Sequence, residues 1–129
     1  MAIIRREVLS GTSATAGGSQ VSAMTIVVNG TATAAFTVLH NGPTQASMSD
    51  EVYIECINPS TSVVNVTYWI GDKGTPITAA GRALVAAQSR EMLFGGIVLF
   101  GVSAVTAAQI TVMTTVSGTL FTGFVNAIR

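Results

Sequence analysis

Residues 51–71 read EVYIECINPSTSVVNVTYWIG, and the reading of this stretch decides the fold. From Glu51 to Ile57, Val52, Ile54 and Cys56 alternate with Tyr53, Glu55 and Ile57. A period of two sends successive side chains to opposite faces of a strand. Asn58-Pro59-Ser60 then supplies turn chemistry, because Pro presets φ while Asn and Ser bond back to the local backbone. Val63 to Ile70 resumes the alternation, with Val64, Val66, Tyr68 and Ile70 on one face and Asn65, Thr67 and Trp69 mostly on the other. Tyr68 and Trp69 are neighbours on opposite faces, so one belongs to the core and the other is exposed or at an interface.

Working outward, the same grammar recurs. Gly71 to Pro76 is a turn. Ala79 to Met92 has a helix-compatible composition, but its apolar residues do not recur at i, i+3, i+4 and i+7, so it reads as two short strands around a turn at Ala86 to Ser89. Met92 to Val102, Ala108 to Val116 and Leu120 to Ile128 are further strands. Upstream, His40 to Asp50 (HNGPTQASMSD) reads as a loop. Ala32 to Leu39 and Val21 to Val28 read as strands on either side of Asn29-Gly30, a strong hairpin signal. Ser10 to Gln20 (SGTSATAGGSQ) is small and polar and cannot bury enough apolar area to fold alone. It reads as a linker, preceded by a short strand from Ala2 to Leu9 that is detached from the body and free to lie on a neighbour. The expected fold is all-β, an antiparallel sandwich or barrel of jelly-roll or Greek-key type with about seven to nine strands. Residues 1–20 form an extended N-terminal arm, and residues 21–129 a single β-sandwich domain.

Composition agrees. A chain of 129 residues is one domain, and Val, Ile and Thr make up a third of it. Six Lys and Arg balance six Asp and Glu, and charged residues are 9% of the chain against roughly 25% in ordinary domains. Capture of nucleic acid or of an anionic membrane by charge is therefore not expected. So uncharged a surface repels its own copies weakly, which suits a subunit living in contact with others. The single cysteine, Cys56, forbids an internal disulfide or a Cys-clustered zinc site. Residues 92–128 carry no charge, but repeated Gly, Ser, Thr and Gln interrupt them, so no membrane span is expected. The first ten residues lack a signal-peptide pattern, and the chain is expected to be used without export.

Catalytic chemistry is hard to assemble from this inventory. His40 is the one histidine and reads as a solvated turn residue beside Asn41-Gly42-Pro43. Two-carboxylate sites would have to pair Asp50 or Glu51 with Glu55, or Asp72 with Glu91. No GxSxG elbow, phosphate loop or metal-ligand spacing occurs, and Gly95-Gly96 reads as a turn or bulge. No catalytic, cofactor-binding or metal site is expected. Arg5-Arg6 is the only basic pair, either docking on an acidic patch of a neighbouring subunit or solvated. The candidate partner-contact residues are Ile3, Ile4, Arg5, Arg6 and Trp69. Trp69 or Tyr68 would be the stacking platform if the chain were a carbohydrate-binding module.

From Ala34 to Arg129 the order of phrases, FTVLHNGP, then EVYIECINPSTSVVNVTYWIG, then ALVAAQSREMLFGGIVLFGVSAVTAAQITVMTTVSGTLF, resembles small virion proteins of tailed bacteriophages. The matching pieces are Asn58-Pro59-Ser60, Leu84 to Leu99 and Val116-Ser117-Gly118. Two pieces depart from that pattern: Ala87-Gln88-Ser89 stands where a glycine turn is usual, and Phe100-Gly101-Val102 where an acidic Gly-Asp pair is common. The resemblance implies a β-sandwich that decorates or completes a virion, without enzymatic activity. The expected partners are other copies of the chain, as a homo-oligomer and specifically a trimer, and the major capsid protein or other virion proteins. A tail, neck or fibre-base adaptor and a carbohydrate- or receptor-binding module are the alternatives.

Overall fold

A computed structural model describes residues 3–13, 19–23, 25–28, 37–72, 81–101, 108–116 and 118–129. Among them run eleven strands: β1 (Ile4–Glu7), β2 (Leu9–Ser13), β3 (Ser19–Ala23), β4 (Thr25–Val28), β5 (Thr37–Asn41), β6 (Ser49–Asn58), β7 (Val64–Asp72), β8 (Gly81–Val85), β9 (Ser89–Phe100), β10 (Ala108–Thr114) and β11 (Thr119–Ile128). Eight of these, β4 to β11, lie wholly within the expected body and β3 straddles its start, and no helix occurs among the described residues. The strands form two antiparallel sheets facing each other. The first runs β1-β11-β6-β9, with β4 on the same side of β11 as β1. The second runs β3-β2-β5-β10-β7-β8. No described helix is long and apolar enough to cross a membrane.

Alternation builds the core. Along β6 every second residue, Asp50, Val52, Ile54, Cys56 and Asn58, is buried. Phe121, Val125 and Ala127 of β11 and Phe94 and Leu99 of β9 complete the inner face of the first sheet. Leu9, Leu39, Val64, Val66, Val85, Ile110 and Val112 face them from the second. Two opposed apolar faces bury each other at little polar cost, which is why period-two sequences stack as sandwiches.

The chain changes sheet at almost every connection; only β2–β3 and β7–β8 join strands that pair with each other. The Asn58-Pro59-Ser60 turn is one such crossing. Buried Asn58 accepts from the Ser60 N–H (3.0 Å) and hydroxyl (2.7 Å). Its amide donates to the carbonyls of Ser62 (2.8 Å), Val85 (3.0 Å) and Ala86 (3.1 Å). One side chain thus ties the β6–β7 crossing to the β8–β9 turn, whose Gln88 has φ of 52°, in the left-handed region. The two short strands expected between Ala79 and Met92 are present as β8 and the start of β9. The bulge expected at Gly95-Gly96 is there too: the β6–β9 register shifts at this point, and Gly96 has φ of 104°.

Three expectations are corrected. The segment read as a detached arm is built into both sheets. β1 pairs with β11, β2 pairs with β3 and β5, and Leu9 is fully buried. One apolar residue among small polar ones suffices, because the sheets supply the burial that the segment lacks by itself. The strand read from Val21 to Val28 is two strands in different sheets, β3 on β2 and β4 on β11. Asn29-Gly30 lies outside the described residues, and β4 and β5, which flank it, sit in opposite sheets and do not pair as a hairpin. Finally, the loop read from His40 to Asp50 is shorter, since both of its ends are strand.

Candidate functional site

The first polar cluster to consider surrounds His40, which is buried rather than solvated. In the β5–β10 ladder Ile110 faces His40 while Thr111 faces Val38, so Leu39 is an extra residue in a bulge. This is why consecutive residues, Leu39 and His40, are both buried against the period of two. The Ser10 N–H donates to His40 Nδ1 at 3.0 Å, which requires a lone pair there and puts the ring proton on Nε2. Nε2 in turn donates to Asp50 Oδ2 at 2.7 Å. Arg129 Nη1 donates to Asp50 Oδ1 at 2.9 Å, and Arg129 Nη2 lies 3.6 Å from Glu7 Oε2. Asn41 donates to the Ser10 carbonyl at 3.1 Å and accepts from Gln109 at 2.6 Å.

A cleft of about 320 Å³ adjoins this cluster, lined by Glu7, Val8, Thr44 and Met48 among others. Yet both ring nitrogens of His40 and both oxygens of Asp50 are already spent on the protein itself. A general base needs a lone pair aimed at a reactant, and this imidazole has given its lone pair to a backbone amide. The cluster is a latch that ties the beginning of the chain to its end. No group of three or more His, Cys, Asp or Glu side chains is placed to hold a metal ion among the described residues. The pairings of Asp50 or Glu51 with Glu55 do not converge on one site either. Asp50 points inward and Glu51 outward, and Glu55 is bound to Arg90. Asp72 closes β7, and nothing is described of its side chain.

The second region is the outer face of the first sheet. Antiparallel register lines its side chains into rows: Ile4, Ile128, Ser49 and Phe100; then Arg6, Asn126, Glu51 and Val98; then Phe124, Tyr53 and Gly95; then Thr122, Glu55 and Met92. The apolar members at its margins stand in solvent: Phe100 is 72% exposed, Ile4 69%, Met92 59% and Val98 40%. The charged side chains on this face each have a partner within the chain, and Glu55 and Arg90 have each other. Arg90 binds Glu55 with two parallel bonds of 2.5 and 2.8 Å, which holds the Glu55 carboxyl below its ordinary range. Glu51 accepts from the Tyr53 hydroxyl at 2.5 Å and from the Asn126 amide at 3.3 Å, which lowers the Glu51 carboxyl, and the Glu51 bond raises the Tyr53 phenol. Arg6 sits 4.2 Å above the Phe124 ring, which stacks on Tyr53 with centroids 4.9 Å apart, and Tyr53 leans over Gly96.

The candidate contact residues fall in different places. Ile3 and Ile4 are exposed, Ile4 within the outer face. Arg5 pairs with Glu7 at 3.5 Å and Arg6 covers Phe124, so both cations are engaged with their own chain. Trp69 is half-buried on the outer side of the second sheet, opposite Thr111. Tyr68 is the core member of that neighbouring pair, meeting Phe94 edge to face at 5.1 Å. Sequence reasoning missed the His40 latch, because a bulge leaves no trace in residue type. It also missed Phe100, Met92 and Val98 as surface residues, because an apolar strand reads as core until its neighbours are known.

The fold and its surface define a class: an antiparallel, two-sheet β-sandwich with Ile4, Met92, Val98 and Phe100 exposed on one sheet's outer face. Compared with protein-family models, curated proteins and solved structures, the chain matches none.

Proposed function

We propose that the chain is a non-enzymatic structural subunit. Its finer role is a cement or decoration protein that binds the outer shell of a tailed-bacteriophage virion as a homo-oligomer. The observation carrying this reading is the outer face of the first sheet, where Ile4, Met92, Val98 and Phe100 are exposed while Glu55 and Arg90 neutralise each other. Apolar side chains held on a rigid sheet gain about 25 cal/mol per Å² when a neighbour covers them, before association costs. Such a face suits contact between sister copies, and an oligomer presents its weaker shell contacts several times over, so that they add up to firm attachment. The virion assignment rests on the resemblance between residues 34–129 and phage virion proteins, with the virion as the place of action.

The test is co-sedimentation of the purified chain with shells of its phage from which cement protein is missing. Saturable binding at hundreds of copies per shell supports the decoration role. Binding of a single ring of copies to tails or necks would replace it with the adaptor role, and indifference to virion parts would sink both. The carbohydrate-binding reading keeps only Trp69 as a platform, half-buried on the outer side of the second sheet. Tyr68 is turned to the core, and Phe124 is covered by Arg6 on one side and Tyr53 on the other.

A further inference from the structure

We infer that the outer face of the first sheet packs against the same face of a second copy, about a two-fold axis parallel to the strands between β6 and β11. This deepens the proposed function by naming the occupant of its apolar face, and rests on that reading only for the role of the assembly. The argument is complementarity. Rotation about that axis lays β1 over β9 of the other copy, and β11 over β6. Ile4 then meets the partner's Phe100, Ile128 the partner's Ser49, Asn126 the partner's Glu51, Phe124 the partner's Tyr53, and Thr122 the partner's Glu55. The two most exposed apolar side chains of the face cover each other twice, once on each side of the axis. Glu51 gains an amide partner, and no like charges meet.

An axis in the same plane but across the strands, through the central row of Phe124 and Tyr53, brings the row of Glu51 over the row of Glu55 in the partner. Like charges facing each other would oppose that arrangement. Size agrees as well. A strand of ten residues spans about 33 Å and four strands about 19 Å, so two such faces bury roughly 1,200 Å², the lower end of specific interfaces. Sheets packed this way align within about 30°, the angle their own twist imposes. An isologous contact of this kind closes at two copies, where the expectation from sequence is a trimer.

The experiment is the native mass of the full chain by sedimentation equilibrium over a wide concentration range. The expected result is a species of twice 13.2 kDa. Phe100→Asp should raise the dissociation constant by roughly tenfold or more, as loss of a large apolar anchor does, since each dimer loses the contact twice. Leu84→Asp, an equally exposed leucine on the second sheet, should leave it unchanged. If Phe100→Asp fails to fold, the paired variant Ile4→Cys with Phe100→Cys reads the same geometry by oxidation. A disulfide-linked dimer should form in the double variant and in neither single one, with Cys56 buried and silent. A monomer at every concentration, a trimer, or a dimer indifferent to Phe100→Asp overturns the inference. Shell binding is scored separately: a dimer that ignores shells keeps this contact and loses the proposed function, and a monomer that binds shells does the reverse.

Discussion

At the scale of single residues, His40 and Cys56 show how burial turns reactive side chains into architecture. His40 spends its lone pair on the Ser10 amide and its proton on Asp50. Replacing it with Phe keeps the volume but leaves a backbone N–H without a partner and a buried carboxylate held only by Arg129. His40→Phe is expected to cost about 3–5 kcal/mol in urea unfolding, because removing one partner of a buried pair strands the other. Cys56 lies fully buried in the core, and burial pushes its thiol up to about 11 from the ordinary 9.0. The unfolded chain therefore loses the thiol proton first. Above the unfolded value it binds fewer protons than the folded chain, so stability falls as pH rises toward the folded value, at up to about 1.4 kcal/mol per unit. Stability measured between pH 9 and 11 should show this slope, and Cys56→Ala should reduce it, leaving the part that the raised Tyr53 phenol contributes. Position 40 was misread from the sequence because residue type says nothing about a bulge. Position 56 was legible, since Cys56 falls in phase with Val52 and Ile54.

At the scale of elements, strand pairing sets demands that composition cannot display. Gly123 sits in β11 opposite Ile54 of β6, where a Cβ would come within 1.9 Å of the Tyr53 carbonyl oxygen. That oxygen belongs to the backbone and cannot rotate away. Gly123→Ala should force the β6–β11 ladder apart and cost about 1–3 kcal/mol or more, as overpacking does, and should lower the melting temperature. The β8–β9 turn and the Gly95-Gly96 bulge were both readable from local chemistry. The supposed Val21–Val28 strand was not, because a strand that crosses from one sheet to the other keeps its period and loses only its partners.

At the scale of the molecule, the N-terminal segment is a structural member. Deleting residues 1–20 removes Leu9 from the core, β1 from the first sheet and β2 from the second. Losing a buried leucine alone costs about 2–5 kcal/mol, so the truncated chain is expected not to fold cooperatively. A sharp thermal transition in that variant would restore the detached-arm reading. The sequence by itself determined an all-β sandwich, its turn at Asn58, the two strands after Ala79, and a surface poor in charge. These follow from period-two alternation and turn residues, which act over a few positions of chain. The tertiary structure alone decided that His40 joins Asp50, that Arg6 is spent on Phe124, and that Ile4 and Phe100 share one exposed face. Those facts depend on which strands lie side by side, and pairing is fixed by contacts between residues far apart in the chain, which no local pattern records.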